Sequence, residues 1–401
     1  LAYVSVGLTL TGCASYQSRI SAINSDLRQH RAADAAKKLE PKAEKEGDDQ
    51  VVYLFEYATA LQMAGQFKES NKAFLKVDDL TEIKDYHSLS RIAGSLLLSE
   101  GMIQYKGEDY EKVLINALAA INFIMENDFE NALVMSRRLN DKLYKYKYEA
   151  KRNYEQNAFA FYLMALLWED TRDWDSAYIQ FKKTFELNPN LKYLGADLIR
   201  AAKNAQRDED LAEWKKKFPG IKVPDQKNTG EVILIYQQGW APNKKPDPSF
   251  PRVPKLYPTV SNTSIAELEF DNGVKERSDL VFSVQDIAIK ELDDAYAELI
   301  AKRAAGIAAK AVVADQIRQK NQGLGELAWL AMNAADQADL RQWSSLPATF
   351  QIAKVRLPPG KYKVKIIGLR ADATPSGEFQ DWREIEVHAR KKTFLNWRSV
   401  E

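Results

Sequence analysis

Few side chains in this sequence can do chemistry. Cys13 is the only cysteine, and His30, His87 and His388 are the only histidines, in 401 residues. A lone thiol offers one nucleophile or one point of covalent attachment, and it excludes internal disulfides and a thiolate metal site built within the chain. The histidines lie far apart and none has a second ligand at helical spacing, so no metal site is expected. Glycoside hydrolysis needs only two carboxylates, which 56 Asp and Glu residues could supply. No glutamate, however, stands in a context that visibly raises its pKa. No phosphate loop with its lysine, no Gly-x-Ser-x-Gly elbow and no His-Glu-x-x-His pair occurs. Gly323-Leu324-Gly325 lacks a third glycine and reads as a helix break. The expectation is a non-enzyme without catalytic residues, cofactor or metal.

Composition agrees with that expectation. The chain is 45% apolar and 28% charged, values of a globular protein that exclude a disordered, collagen-like or polytopic membrane chain. Its 57 basic and 56 acidic residues leave a net charge of +1, so no bulk field draws it to nucleic acid. The length calls for two or three units.

Residues 1–12 form a short apolar run ending in small residues, too short to span a membrane and of the kind found in secretory leaders. With no Met and no basic segment before it, the sequence is expected to start inside a signal peptide. Leu10-Thr11-Gly12-Cys13 resembles the bacterial lipobox. The resemblance implies diacylglyceryl transfer to the Cys13 thiol, cleavage before it and acylation of the new amino group, and two or three such chains anchor a protein effectively permanently. Ala14, not an acidic residue, follows the cysteine. By analogy this implies the inner leaflet of the outer membrane, facing the periplasm.

From about residue 18 to 218 apolar residues recur at three and four, with no strand-like alternation. Leu54, Tyr57, Ala58, Leu61 and Met63 form one stripe; after a break at Gly65-Gln66, Phe67, Ser70, Phe74 and Val77 form the next. Short amphipathic pairs of this kind cannot bury both stripes alone and must stack on neighbouring pairs. Residues 157–190 carry a turn at Asp173-Trp174, a small residue at Ala177, Phe181 four later, and a stop at Glu186-Leu187-Asn188-Pro189. This resembles the tetratricopeptide repeat, with Thr184 where alanine is usual. Weaker copies are Gly65-Gln66-Phe67 with Ser70 and Phe74, and Asp128-Phe129 with Ala132.

Tyr110-Glu111-Lys112-Val113, Ala120-Ile121-Asn122, Asn127-Asp128-Phe129-Glu130 and Arg137-Arg138 resemble the signature of a largely uncharacterised family of bacterial lipoproteins with tetratricopeptide-like helices. The resemblance continues in Gly230 to Tyr236 with Gly239-Trp240-Ala241-Pro242, and in Ala338 to Trp343 with Leu346-Pro347. Genes of that family sometimes neighbour a lipoprotein that activates a penicillin-binding protein, which implies a role near cell-wall assembly.

Candidate partner-binding residues are Tyr110, Asn122, Arg137, Arg138, Tyr144, Lys145 and Tyr148. Glu111, early in its helix, suits the positive end of the helix dipole. Asn122 on an apolar helix calls for a hydrogen bond across to a neighbouring turn. Arg137 and Arg138 point about 100° apart, so at most one reaches inward. The run from Arg137 to Arg152 mixes cations with Tyr144, Tyr146, Tyr148 and Tyr154. It reads either as a solvated helix face or as a surface for glycan, anionic lipid or an acidic partner.

Helical periodicity stops at Lys215–Lys217 and Phe218-Pro219-Gly220, giving a helical domain at 13–218, a linker at 219–230 and an α+β domain at 231–401. Six of the fourteen prolines fall between Pro242 and Pro258, a stretch expected as an extended surface loop. Strands are predicted at 232–236, 264–270, 281–284, 382–388 and 392–397, with a hairpin of 350–357 and 361–367 turning at Pro358-Pro359-Gly360. Helices are predicted at 286–319 and 324–337; the alanine-rich centre of the first, 304–314, should pack closely on a sheet or a second helix. The expected fold is thus a tetratricopeptide-like solenoid followed by a smaller α+β domain with a mainly antiparallel sheet. Its expected role is a lipid-anchored periplasmic adaptor that takes an envelope protein or peptide in the helical groove. The alternative is a peptidoglycan- or glycan-binding protein.

Overall fold

The computed structural model describes residues 16–88, 104–148, 157–223, 227–334 and 337–401. Cys13 with the lipobox-like residues before it, and Lys151, Arg152 and Tyr154 of the basic run, lie outside the described residues.

Ten helices among the described residues precede the first strand: α1 (Tyr16–Arg28), α2 (Ala32–Glu44), α3 (Gln50–Met63), α4 (Phe67–Ser88), α5 (Asp109–Met125), α6 (Phe129–Tyr148), α7 (Ala158–Asp170), α8 (Trp174–Leu187), α9 (Leu194–Asn204) and α10 (Asp208–Lys217). They form five antiparallel pairs, and each pair turns the same way. His30, Gly65, Asn127, Arg172 and Gln206, all with φ between 57° and 74°, stand two residues before the second helix. The next N–H then reaches back five residues, as in Gln66 to Leu61 and Asp173 to Trp168 (2.9 and 3.0 Å). This left-handed cap satisfies the carbonyls that the first helix leaves open. Three residues into each of the first four second helices sits a small, fully buried side chain: Ala35, Ser70, Ala132 and Ala177. There the helices cross. Thr184, out of place for a repeat, is buried and donates its hydroxyl to Gln180 O at 2.8 Å.

The C-terminal unit is a two-sheet sandwich. One sheet runs β10 (Lys392–Arg398), β1 (Gly230–Gln238), β7 (Thr349–Leu357), β6 (Asp279–Ser283); the other runs β5 (Lys275–Arg277), β4 (Ile265–Phe270), β8 (Gly360–Leu369), β9 (Pro375–Val387). All neighbours are antiparallel except β1 and β10. Val232, Leu234 and Tyr236 of β1 and Val355 of β7 meet Leu268 and Phe270 of β4 and Val364 and Ile366 of β8 between the sheets. The alternate residues Ile233, Ile235, Phe350 and Ile352 point the other way, into the helices. β1 is therefore buried on both faces, which is why it reads as an unbroken apolar run.

Two expectations fail here. β7 and β8 do not pair as a hairpin: the Pro358-Pro359-Gly360 turn carries the chain from one sheet to the other. The proline-rich stretch is not simply a surface loop either. Within it β2 (Asn243–Pro246) and β3 (Pro254–Tyr257) pair as a short ribbon, in which Lys244 and Leu256 are buried.

After β6 comes α11 (Val284–Lys320), 37 residues long, against whose far half α12 (Gln322–Ala334) folds back. A Cβ on Gly325 would come within 2.5 Å of Arg318 Cα, so the turn needs glycine. The alanine-rich segment packs on α12 along one face only. Lys310 and Ala314 are buried, while Leu324, Leu327 and Leu330 of α12 are 57–64% exposed. No helix among the described residues is long and apolar enough to cross a membrane.

Candidate functional site

The first helix of each pair faces the C-terminal unit, and there the stack binds a segment of its own chain. Residues 341–346 run across α3 and α5. Trp343 is fully buried and donates Nε1–H to Thr59 Oγ1 at 2.8 Å. Its backbone N–H donates to Glu111 Oε1 at 2.5 Å, and the next, Ser344, donates to Glu56 Oε1 at 2.7 Å. Two buried carboxylates from adjacent repeats thus grip consecutive amides. Just before them Tyr16 donates its hydroxyl to Gln342 O (2.8 Å) and Arg341 reaches Asp49 (3.0 Å). Lys244 of β2 pairs with Glu108.

Glu111 does more than sit at a helix start. It closes a capping box with Glu108 and also accepts the Tyr105 hydroxyl at 2.6 Å. Burial, reinforced by the neighbouring Glu108 carboxylate, pushes its pKa up to about 7; burial raises Glu56 too. The sequence shows no glutamate in such a setting, because the surroundings are assembled from residues up to 288 positions away.

Farther along the stack an ion-pair network joins α7 and α9 to the sheet. Arg200 pairs with Glu169 and, at 2.5 Å, with Asp197. Lys354 of β7 reaches Asp197 at 2.6 Å, and Lys392 of β10 reaches Glu169 at 2.8 Å as well as Glu231 of β1. Arg356 Nη2 lies 3.0 Å from Glu231, and Tyr162 donates to Asp197 at 2.7 Å. Burial alone would raise the Glu169 pKa, but Arg200 and Lys392 hold it down to about 2. The charges sit opposite one another with little left over. Nothing here resembles a general acid paired with a base. Among the described residues no His, Cys, Asp and Glu cluster could hold a metal ion.

The candidate binding residues do not form one site. Asn122 is buried, accepting from Gln62 Nε2 (2.6 Å) and donating to Ser70 Oγ (2.8 Å) and Asn71 Oδ1 (3.0 Å), so it ties α5 to the preceding pair. Gln237 of β1 extends this row to Gln62 (3.3 Å). Arg137 lies over the Trp168 ring at 5.0 Å, and half-exposed Arg138 is 3.8 Å from Asp78. Tyr144 and Lys145 are exposed on α6, and Tyr148 is its last residue. Tyr110 is buried where α5 meets the C-terminal unit.

The residues that sequence reasoning missed are Phe55, Glu56, Thr59 and the network at Glu169, Asp197, Arg200, Glu231, Lys354 and Lys392. One signal was present. α7 reads Ala-Phe-Ala-Phe-Tyr-Leu-Met-Ala-Leu-Leu-Trp, apolar all round rather than striped, which marks a helix covered on both sides.

No family model and no curated protein matches the sequence. Among solved structures it is similar to tetratricopeptide-like repeats of a kinesin light chain from Podosopora anserina (10% identity over 50% of this chain and 91% of that one, TM-score 0.34). It is also similar to MamA from Desulfovibrio magneticus RS-1 (14%, 51% and 97%, TM-score 0.32) and to BtubC from P. vanneervenii (11%, 52% and 80%, TM-score 0.30).

Proposed function

We propose that this chain is a non-catalytic scaffold of the bacterial envelope, held at a membrane by acyl chains on Cys13 and presenting a rigid surface to another envelope protein. The observation that carries the reading is the occupied inner face of the helical stack. Helical pairs of this kind offer that face to extended partners. Here Trp343 and its neighbours fill it, so the two units act as one body and recognition shifts to outer surfaces. The α11–α12 arm is the best suited of these, because Leu324, Leu327 and Leu330 stand more than half exposed along it and exposed apolar rows mark interaction sites. A role beside cell-wall assembly fits the family resemblance, with the outer membrane as the proposed address.

Two measurements test this. Wild-type protein should fractionate with membranes and carry acyl mass on a mature chain beginning at Cys13, whereas Cys13→Ser should be released. A photo-crosslinker at position 327 should join one envelope protein reproducibly, and one at position 62, buried between the helical stack and Gln237 of β1, should not. Membrane retention of Cys13→Ser, or partner adducts at 62 rather than 327, would overturn the reading.

A further inference from the structure

The chain enters its first helix beside the proline-rich ribbon. Tyr16 donates its hydroxyl to Gln342 O at 2.8 Å, and Gln342 Oε1 accepts the Lys244 N–H at 2.8 Å. Gln17 Nε2 donates to Lys244 O at 3.4 Å. Cys13 stands three residues before Tyr16, and three residues span at most about 11 Å. Acyl chains on Cys13 would therefore hold a bilayer surface close to this end of the molecule, where β2 and β3 lie.

The two faces of the ribbon differ. Lys244 and Leu256 stand opposite one another and are buried, Leu256 in the core and Lys244 against Glu108. On the outer face Lys245 stands directly across from Lys255, and Asn243 across from Tyr257. Lys245 Nζ lies 6.0 Å from the centre of the Tyr257 ring. Like charges directly opposite in a strand pair are destabilising, so this face calls for negative charge from outside.

The ribbon supplies little of its own. Asp247 is the one acid between Asn243 and Tyr257, against Lys244, Lys245, Arg252 and Lys255. It lies within Coulomb range of Lys255, but its Oδ1 is engaged by the turn, accepting the Ser249 and Phe250 N–H groups at 2.7 and 3.1 Å. The Val253 N–H closes that turn on Phe250 O at 2.8 Å. Phe250 is thereby held 49% exposed at the tip, flanked by Pro248 and Pro251.

An aromatic ring on a fixed turn, a tyrosine and two facing lysines suit the boundary of an anionic bilayer. Rings settle among head groups there, and cations meet lipid phosphates. We infer that the β2–β3 ribbon rests on the membrane, with Phe250 at head-group level and Lys245 and Lys255 facing anionic phospholipid. The inference rests on the Cys13 anchoring proposed above, and it leaves the α11–α12 arm to the protein partner.

The test uses the acylated full chain in vesicles of phosphatidylcholine and phosphatidylglycerol that carry a spin-labelled lipid. Acylation of the only cysteine leaves no free thiol, so a fluorophore can be attached at Ser249→Cys on the ribbon or at Glu209→Cys on the last helical pair. Quenching is expected at 249 and not at 209. Replacing phosphatidylglycerol by phosphatidylcholine, or introducing Lys245→Glu/Lys255→Glu, should cut quenching at 249 by at least about half, because the facing cations supply the attraction. The chain should stay on the vesicles throughout. Equal quenching at 249 and 209, or quenching at 249 that ignores both changes, would overturn the inference and leave the anchoring intact. An acylated chain that does not float with the vesicles would overturn the anchoring, and this inference with it.

Discussion

The indole of Trp343 lies flat on the ring of Phe55, with centroids 4.4 Å apart and planes within 4° of parallel. These residues are separated by most of the chain, and their stack is the centre of the joint between the two units. Trp343→Ala should cost about 3–5 kcal/mol, the usual price of truncating a buried aromatic. Urea unfolding should then show two transitions where the wild type shows one. Trp343→Phe keeps the stack and loses only the bond to Thr59, so its effect should be smaller.

Stability should depend on pH through Glu111. An unfolded glutamate titrates near 4.5 and this one, folded, near 7. Between those values the folded protein holds a proton that the unfolded chain has released, so stability falls as pH rises and levels off above 7. Glu56, also raised, adds in the same direction. Denaturant titrations across this range should give a shallower slope for Glu111→Gln than for wild type.

Glu169 has the opposite sign. Its folded value, about 2, lies below the unfolded one, so its contribution is fully present above 4.5 and is lost as pH falls toward 2. Glu169→Gln should be less stable than wild type at pH 7, with the gap closing as pH falls through this window.

Removing one member of the buried network should cost more than the network contributes. Lys354→Met leaves Asp197 and Glu231 without that cation, an arrangement that typically costs about 3–5 kcal/mol. The double variant Lys354→Met/Asp197→Asn should recover part of this loss, measured as a coupling energy in urea denaturation.

The arm should open without unfolding the body. Gly325→Val places a side chain against the Arg318 backbone. Limited proteolysis should then cut within residues 301–334 far faster than in wild type, while the main thermal transition stays in place.

What the sequence revealed was what is local. Gly65-Gln66, Asp128-Phe129 and Asp173-Trp174 mark turns because the left-handed cap and the small crossing residue lie within a few positions of each other. Thr349 to Leu357 and Gly360 to Leu369 were legible as strands, yet not as members of different sheets, since a Pro-Pro-Gly turn serves a hairpin and a crossover alike. The grip of Glu56 and Glu111 on residues 343 and 344 was invisible for a related reason. A glutamate that caps a helix and one that also holds a distant amide look the same until the distant segment is placed. Asn122 was the exception, because a polar side chain amid apolar neighbours advertises a partner wherever it comes from.

Repeat arrays commonly gain and lose copies over evolutionary time, since each unit touches only the next. This one has forfeited that freedom. Trp343, in the segment that leads into β7, measures the position of the second pair, and Lys392 and Lys354, both on one sheet, measure those of the fourth and the fifth. Deleting or duplicating a pair between them would displace one set of contacts by a whole repeat, so the number of pairs is fixed as firmly as the length of a key cut for a single lock.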